Sequence, residues 1–154
     1  MSKIQSLLDE YGASHQNATN KLIHWICVPL IFFSVVGLFY SLELPFKITE
    51  TMNFNFAIVM LVAVMIYYFT LSRTLWIGML LFSAVCMMVC YAINAAGLLV
   101  WLVSIVIFVL AWIAQFYGHH LEGKKPSFLR DVQFLLIGPA WIMSFVYKKL
   151  GITL

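Results

Sequence analysis

The chain has 154 residues, 64% of them hydrophobic and 10% charged, with a formal net charge of +3. Soluble domains carry about a quarter charged residues, which excludes an ordinary water-soluble globule. A hydrocarbon core of about 30 Å asks for about 20 apolar residues per helical span, and several such runs make this an all-α integral membrane protein with no nucleic-acid partner expected.

Residues 1–20 read as an interfacial segment. Ile4, Leu7, Leu8 and Tyr11 recur at helical spacing, predicting an amphipathic helix from Ser2 to roughly Ser14 with Leu8, Tyr11 and His15 on one face. Gly12 and the polar run Ser14 to Asn20 end the pattern, and Thr19 or Asn20 is the expected N-cap of the first span. That span covers 23–42, with His24 in its first turn and Pro29 removing an amide donor one turn later. It exceeds a signal-peptide core and lacks a small-residue cleavage pattern, so it is expected to persist as a transmembrane helix. Further spans are expected over 54–71, 75–93 and 98–117. A fifth hydrophobic segment, 134–147, is shorter and carries Gly138-Pro139, which leaves a crossing and a re-entrant course both open. The expected architecture is a single membrane domain: a bundle of four transmembrane helices, the fifth segment and the N-terminal amphipathic helix. Cys27, Cys86 and Cys90 lie within apolar runs and read as packing residues.

Lysine and arginine in short loops favour the cytoplasmic side. With four alternating spans, Lys3, Lys21, Arg73, Lys124, Lys125 and Arg130 share one side, and Lys47 lies on the other. Lys148 and Lys149 follow the fifth segment. The expected topology therefore has a cytoplasmic N-terminus and a cytoplasmic segment at 118–131, in a multi-pass protein of a bacterial inner membrane or the endoplasmic reticulum. All four histidines, His15, His24, His119 and His120, then meet at one membrane surface.

On a fourth helix continuing to Gly123, Gln115, His119 and Glu122 form one polar stripe, whereas His120 points about 100° away. Four converging imidazoles with Glu122, Gln115 and Asn20 nearby point to a metal site, with His120 the donor that lies off the stripe. Neutral imidazole and carboxylate without thiolate suits Fe(II), Mn or Zn, and two histidines plus one carboxylate is the open non-haem Fe(II) arrangement. Zinc with a bound water would imply hydrolysis instead. Lys124, Lys125 and Arg130 offer counter-charge to a carboxylate headgroup or to anionic membrane lipid.

Two blocks carry a resemblance: Tyr11-x3-His15-x4-Asn20-Lys21-x2-His24-x4-Pro29, and Gln115-Phe116-Tyr117-Gly118-His119-x2-Glu122-Gly123-Lys124-Lys125-Pro126. With the span number and Gly138-Pro139-Ala140-Trp141, the chain resembles the membrane 2-hydroxy fatty acid dioxygenases. The resemblance implies Fe(II)-dependent α-oxidation, in which a 2-hydroxy fatty acid and O2 give a fatty acid one carbon shorter plus carbon dioxide, without 2-oxoglutarate. It implies His15, His24 and His119 as ligands, with Glu122 also in a motif position and in the catalytic set. Asn20, Lys21, Gln115, Lys124 and Lys125 are the implied substrate contacts, and His120 falls where the family pattern varies. A zinc-dependent lipid hydrolase, a haem-binding electron carrier with His24 and His119 as axial ligands, a transporter and a non-catalytic scaffold are the competing readings.

Overall fold

The computed structural model describes residues 2–50, 52–123 and 128–154, with the backbone alone at 52 and 128–133. Helix α1, Lys3–Ala13, begins at Ser2, whose hydroxyl accepts the Gln5 amide at 3.3 Å. Ile4, Leu8 and Tyr11 bury the face that the periodicity predicts. Helix α2, Ala18–Tyr40, is capped by Asn17, whose side-chain oxygen accepts the amides of Thr19 and Asn20 at 2.9 and 3.2 Å. The cap thus stands earlier than the expected Thr19 or Asn20. Asn20 already lies inside the first turn, buried, and turns its carboxamide N–H to Glu122 across the bundle.

The next segment departs from the sequence expectation. Strands β1, Glu43–Thr49, and β2, Met52–Asn55, form an antiparallel hairpin pairing Glu43 with Asn55 and Lys47 with Asn53. Phe54 and Asn55, assigned to the second span, belong to this hairpin, because β2 is held by the ladder to β1. Helix α3, Phe56–Leu71, is left with 16 residues, about 24 Å at 1.5 Å per residue, short of a ~30 Å core. Helices α4, Leu75–Ala95, and α5, Val100–Leu121, follow the expected spans closely and are joined through Gly97 at φ 75°. Among the described residues three helices, α2, α4 and α5, are long and apolar enough to cross a membrane, and α3 is a shorter apolar helix. Three of the four expected spans thus have the length to cross, and α3 is the shorter one.

The segment 134–147 lies within one helix, α6, Phe128–Lys149, which passes through Pro139. Its partners reveal its course. Tyr68, in the last turn of α3, donates its hydroxyl to the Leu136 carbonyl at 2.6 Å. Eleven residues further on, the Tyr147 hydroxyl accepts the Gly78 amide and donates to the Thr74 carbonyl, both at 2.8 Å, at the start of α4. A helix parallel to α3 and α4 would separate Leu136 and Tyr147 by about 16 Å of depth. Both instead meet the α3–α4 corner. Trp141 packs on Tyr11 and His15, Gly138 abuts Tyr11, and Phe145 meets Trp25 near the start of α2. α6 therefore lies across the end of the bundle where α2 and α4 begin, and together with α1 it caps that end.

The α2–α5 pair is the closest seam. A Cβ added at Gly37 would collide with the Ser104 hydroxyl, and one at Gly118 would collide with the Asn20 carboxamide. Small residues let these backbones approach, which is how apolar helices associate where lipid offers no hydrophobic drive.

Candidate metal centre

Three histidines from three elements converge under this cap. His15 sits in the α1–α2 connection, His24 in the second turn of α2 and His119 in the last turn of α5. One ligand nitrogen of each lies within 4.8 Å of the others, and His15 and His24 are buried whereas His119 is half-buried. The ring centroids are 4.1 Å apart for His15 and His24, 5.0 Å for His24 and His119, and 5.8 Å for His15 and His119.

The hydrogen bonds prepare the rings as ligands. His15 Nδ1 donates to the Tyr11 carbonyl at 2.7 Å. A carbonyl only accepts, so in neutral His15 the lone pair resides on Nε2. The ring also stacks on Tyr11 at 4.3 Å, which fixes its plane. His24 Nδ1 lies 3.2 Å from the Tyr11 hydroxyl, and its Nε2 is buried without a hydrogen-bond partner. Such an atom inside a protein calls for a ligand. One residue thus orients two imidazoles, the arrangement expected around metal-bound histidine. Gly138 leaves room for the Tyr11 hydroxyl, 3.0 Å from where a Cβ would stand, and Gly12 leaves room for Trp141.

Glu122, the C-cap of α5, is held by amides from the other side of the bundle. Its carboxylate accepts the Gln16 amide at 2.8 Å, the Asn17 amide at 3.0 Å and the Asn20 carboxamide at 2.8 Å. Burial favours its protonated form, but these N–H donors and the nearby His15 outweigh burial and hold its pKa below the ordinary carboxylate value. The carboxylate ties the His15 loop and the start of α2 to the end of α5. It is not among the side chains that converge with the three histidines.

The remaining expected residues fall into three groups. Asn20 and Gln115 are buried beside the centre, with Gln115 one helical turn before His119, and Lys21 is half-buried next to Asn20. His120 is exposed on the outer face of α5. Lys124 and Lys125 lie outside the described residues, as does the Arg130 side chain. Sequence reasoning did not assign Tyr11 and Trp141 to the site. The spacing of four between Tyr11 and His15 was the available signal for Tyr11; for Trp141 it was the Gly138-Pro139-Ala140-Trp141 element, and only the placement of α6 brings that ring to the imidazoles.

The donor set fits a metal ion. Three imidazoles whose ligand nitrogens lie within 4.8 Å of one another, one of them on a half-buried residue, suit a first-row divalent ion. In comparison with known proteins, the 2-hydroxy-palmitic acid dioxygenase MPO1 of Saccharomyces cerevisiae (strain ATCC 204508 / S288c) is 28% identical over 150 residues, covering 96% of this chain and 82% of the yeast protein. No solved structure matches the chain. Residues 1–150 match the family described as 2-hydroxy-palmitic acid dioxygenase Mpo1-like, and the chain belongs to that family.

Proposed function

We propose that the protein is an Fe(II)-dependent dioxygenase that shortens 2-hydroxy fatty acids by one carbon. The observation that supports this most directly is the convergence of His15, His24 and His119, with the buried Nε2 of His24 left for a ligand, in a chain whose family is described as 2-hydroxy-palmitic acid dioxygenase. The overall reaction, a 2-hydroxy acid plus O2 giving the acid one carbon shorter, carbon dioxide and water, balances without an external reductant or 2-oxoglutarate. The bond between carbons one and two breaks, and O2 accepts the electrons.

His15, His24 and His119 would hold the iron, which supplies the redox centre where O2 and the 2-hydroxy acid meet. Three protein ligands leave positions for both. Tyr11 keeps the His15 and His24 rings in ligating orientation, and Glu122 holds the His15 loop against α5. Asn20, Lys21 and Gln115 are the polar groups available to the substrate's carboxylate and hydroxyl, with Lys124 and Lys125 offering positive charge. Trp141 and α6 exclude water from the His15 and His24 side. The centre sits at one end of the apolar helices, so a headgroup at the surface and a tail among the helices meet it together. The N-terminus and this centre face the cytoplasm in this reading, following the lysine and arginine bias.

The test is a 2-hydroxy fatty acid labelled at carbon one, supplied to purified protein with Fe(II) in air and under nitrogen. Labelled carbon dioxide and the shortened acid are expected in air only, with both lost on chelation. Product under nitrogen, or restoration by zinc and not by iron, would replace this reading with a hydrolytic one.

A further inference from the structure

A groove on the far pair of helices has no part in the metal centre. It lies between α3 and α4, has a volume of about 580 Å³, and is lined from Ile58 to Phe69 on one wall and from Trp76 to Met87 on the other. Every lining side chain is apolar except Ser83, whose hydroxyl is buried without a hydrogen-bond partner. Among the described residues, none of α1, α2, α5 or α6 lines it. The tail of an acid held at the three histidines is therefore not its natural occupant.

Its dimensions and charge suit a different ligand. Ile58 to Phe69 spans about 16 Å of helix, roughly half of a ~30 Å hydrocarbon core, which is the depth of one leaflet. At its mouth the Phe69 and Trp76 rings meet edge to face at 5.9 Å, and the Arg73 guanidinium stands 5.7 Å over the Phe69 ring. Tyr147, bonded to Thr74 and Gly78, brings the exposed Lys148 and Lys149 to the same corner. Arg73 lies at this corner and Lys148 and Lys149 directly follow Tyr147 in the chain, while no Asp or Glu occurs in 56–121 or 132–154.

We propose that this groove binds one acyl chain of an anionic membrane phospholipid, with the phosphate at the corner formed by Arg73, Lys148 and Lys149. The apolar walls take the chain and the unmatched cations take the headgroup, as basic clusters at membrane surfaces do.

The full-length protein in mild detergent is offered an equal mixture of phosphatidylglycerol and phosphatidylcholine with identical chains, plus palmitate, and retained molecules are counted by native mass spectrometry. One phosphatidylglycerol per chain is expected. Neutralising the corner with Arg73→Gln, Lys148→Gln and Lys149→Gln together should lower its retention at least ~10-fold, leaving phosphatidylcholine unchanged. Ala84→Phe, which fills the groove from an exposed position on its wall, should remove retention with the corner intact. Val62→Trp on the opposite wall serves if Ala84→Phe loses its cooperative unfolding transition. Equal retention of both phospholipids, displacement by palmitate, or retention unaffected by either groove variant would overturn the proposal.

Discussion

The two helix seams of this bundle have opposite characters. Between α2 and α5, glycines face side chains so closely that no Cβ fits at Gly37 or Gly118, and the polar residues Asn20, His24, Ser104 and Gln115 are buried along it. Between α3 and α4 the helices part over a groove lined by large apolar side chains. A metal centre needs ligands held within a fraction of an ångström by packed neighbours, and the tight seam supplies that. An open, apolar seam can hold only something as deformable as an acyl chain. The three converging histidines and the apolar groove thus belong to two different halves of a small bundle.

The largest expected effect tests the tight seam directly. His24→Ala and His119→Ala each remove a ligand while deleting little apolar surface, so bound iron and turnover should fall at least ~100-fold with membrane insertion and abundance retained. Iron content measured on anaerobically purified protein, beside product formation, checks this. Unchanged iron in either variant would detach that histidine from the centre.

Gly37→Val attacks the same seam away from the ligands. Overpacking against Ser104 should destabilise the bundle by ~1–3 kcal/mol, seen as a lower unfolding temperature in detergent. Enlarging an exposed α3 position to the same residue, Ala63→Val, should leave that temperature within its error. Equal effects at both positions would dissolve the contrast between the seams.

Glu122→Gln sharpens the distinction between ligand and tether. A tether variant should retain iron but bind it ~10-fold more weakly or worse, because the His15 loop is less well held. The pH dependence has a definite sign. The folded carboxyl titrates below its unfolded value of about 4.3, so its stabilisation is present above that pH and is lost as pH falls through the lower folded value. Wild type and Glu122→Gln should differ in unfolding temperature at neutral pH and converge in acid. A difference that persists at the acid end would show that the ionised carboxylate is not what holds the loop.

The smallest effects separate the two faces of α5's last turn and the ring that supports the ligands. Tyr11→Phe keeps the stack on His15 and removes the hydroxyl beside His24 Nδ1, so a modest loss in iron affinity is expected, near ~10-fold. His120→Ala touches an exposed position, and surface changes are usually within ±0.5 kcal/mol. Its activity should stay within about 2-fold of wild type; a loss equal to that of His119→Ala would place His120 among the ligands.

Much of this was legible along the chain, because the patterns concerned are local. Apolar run length locates α2, α4 and α5, a period of 3.6 locates the buried face of α1, and Gly123 marks the end of α5. The alternation of Leu44, Phe46 and Ile48 was a local signal passed over: the apolar pattern placed Phe54 and Asn55 in a span, whereas pairing with β1 draws both into the hairpin. That His15, His24 and His119 emerge at one end of the bundle agrees with the four consecutive apolar helices lying between their segments.

What the sequence by itself determined is therefore composition, helix placement and the side of the bundle on which the donors emerge, since these depend on neighbours within a few turns. Only the tertiary structure decided that α6 lies across the bundle end, that Tyr11 serves two imidazoles at once, and that Glu122 binds amides about a hundred residues away. A carboxylate reads the same in sequence whether it meets a cation or an amide. Its task is set by which donors arrive within hydrogen-bond distance, and that depends on how separate helices pack.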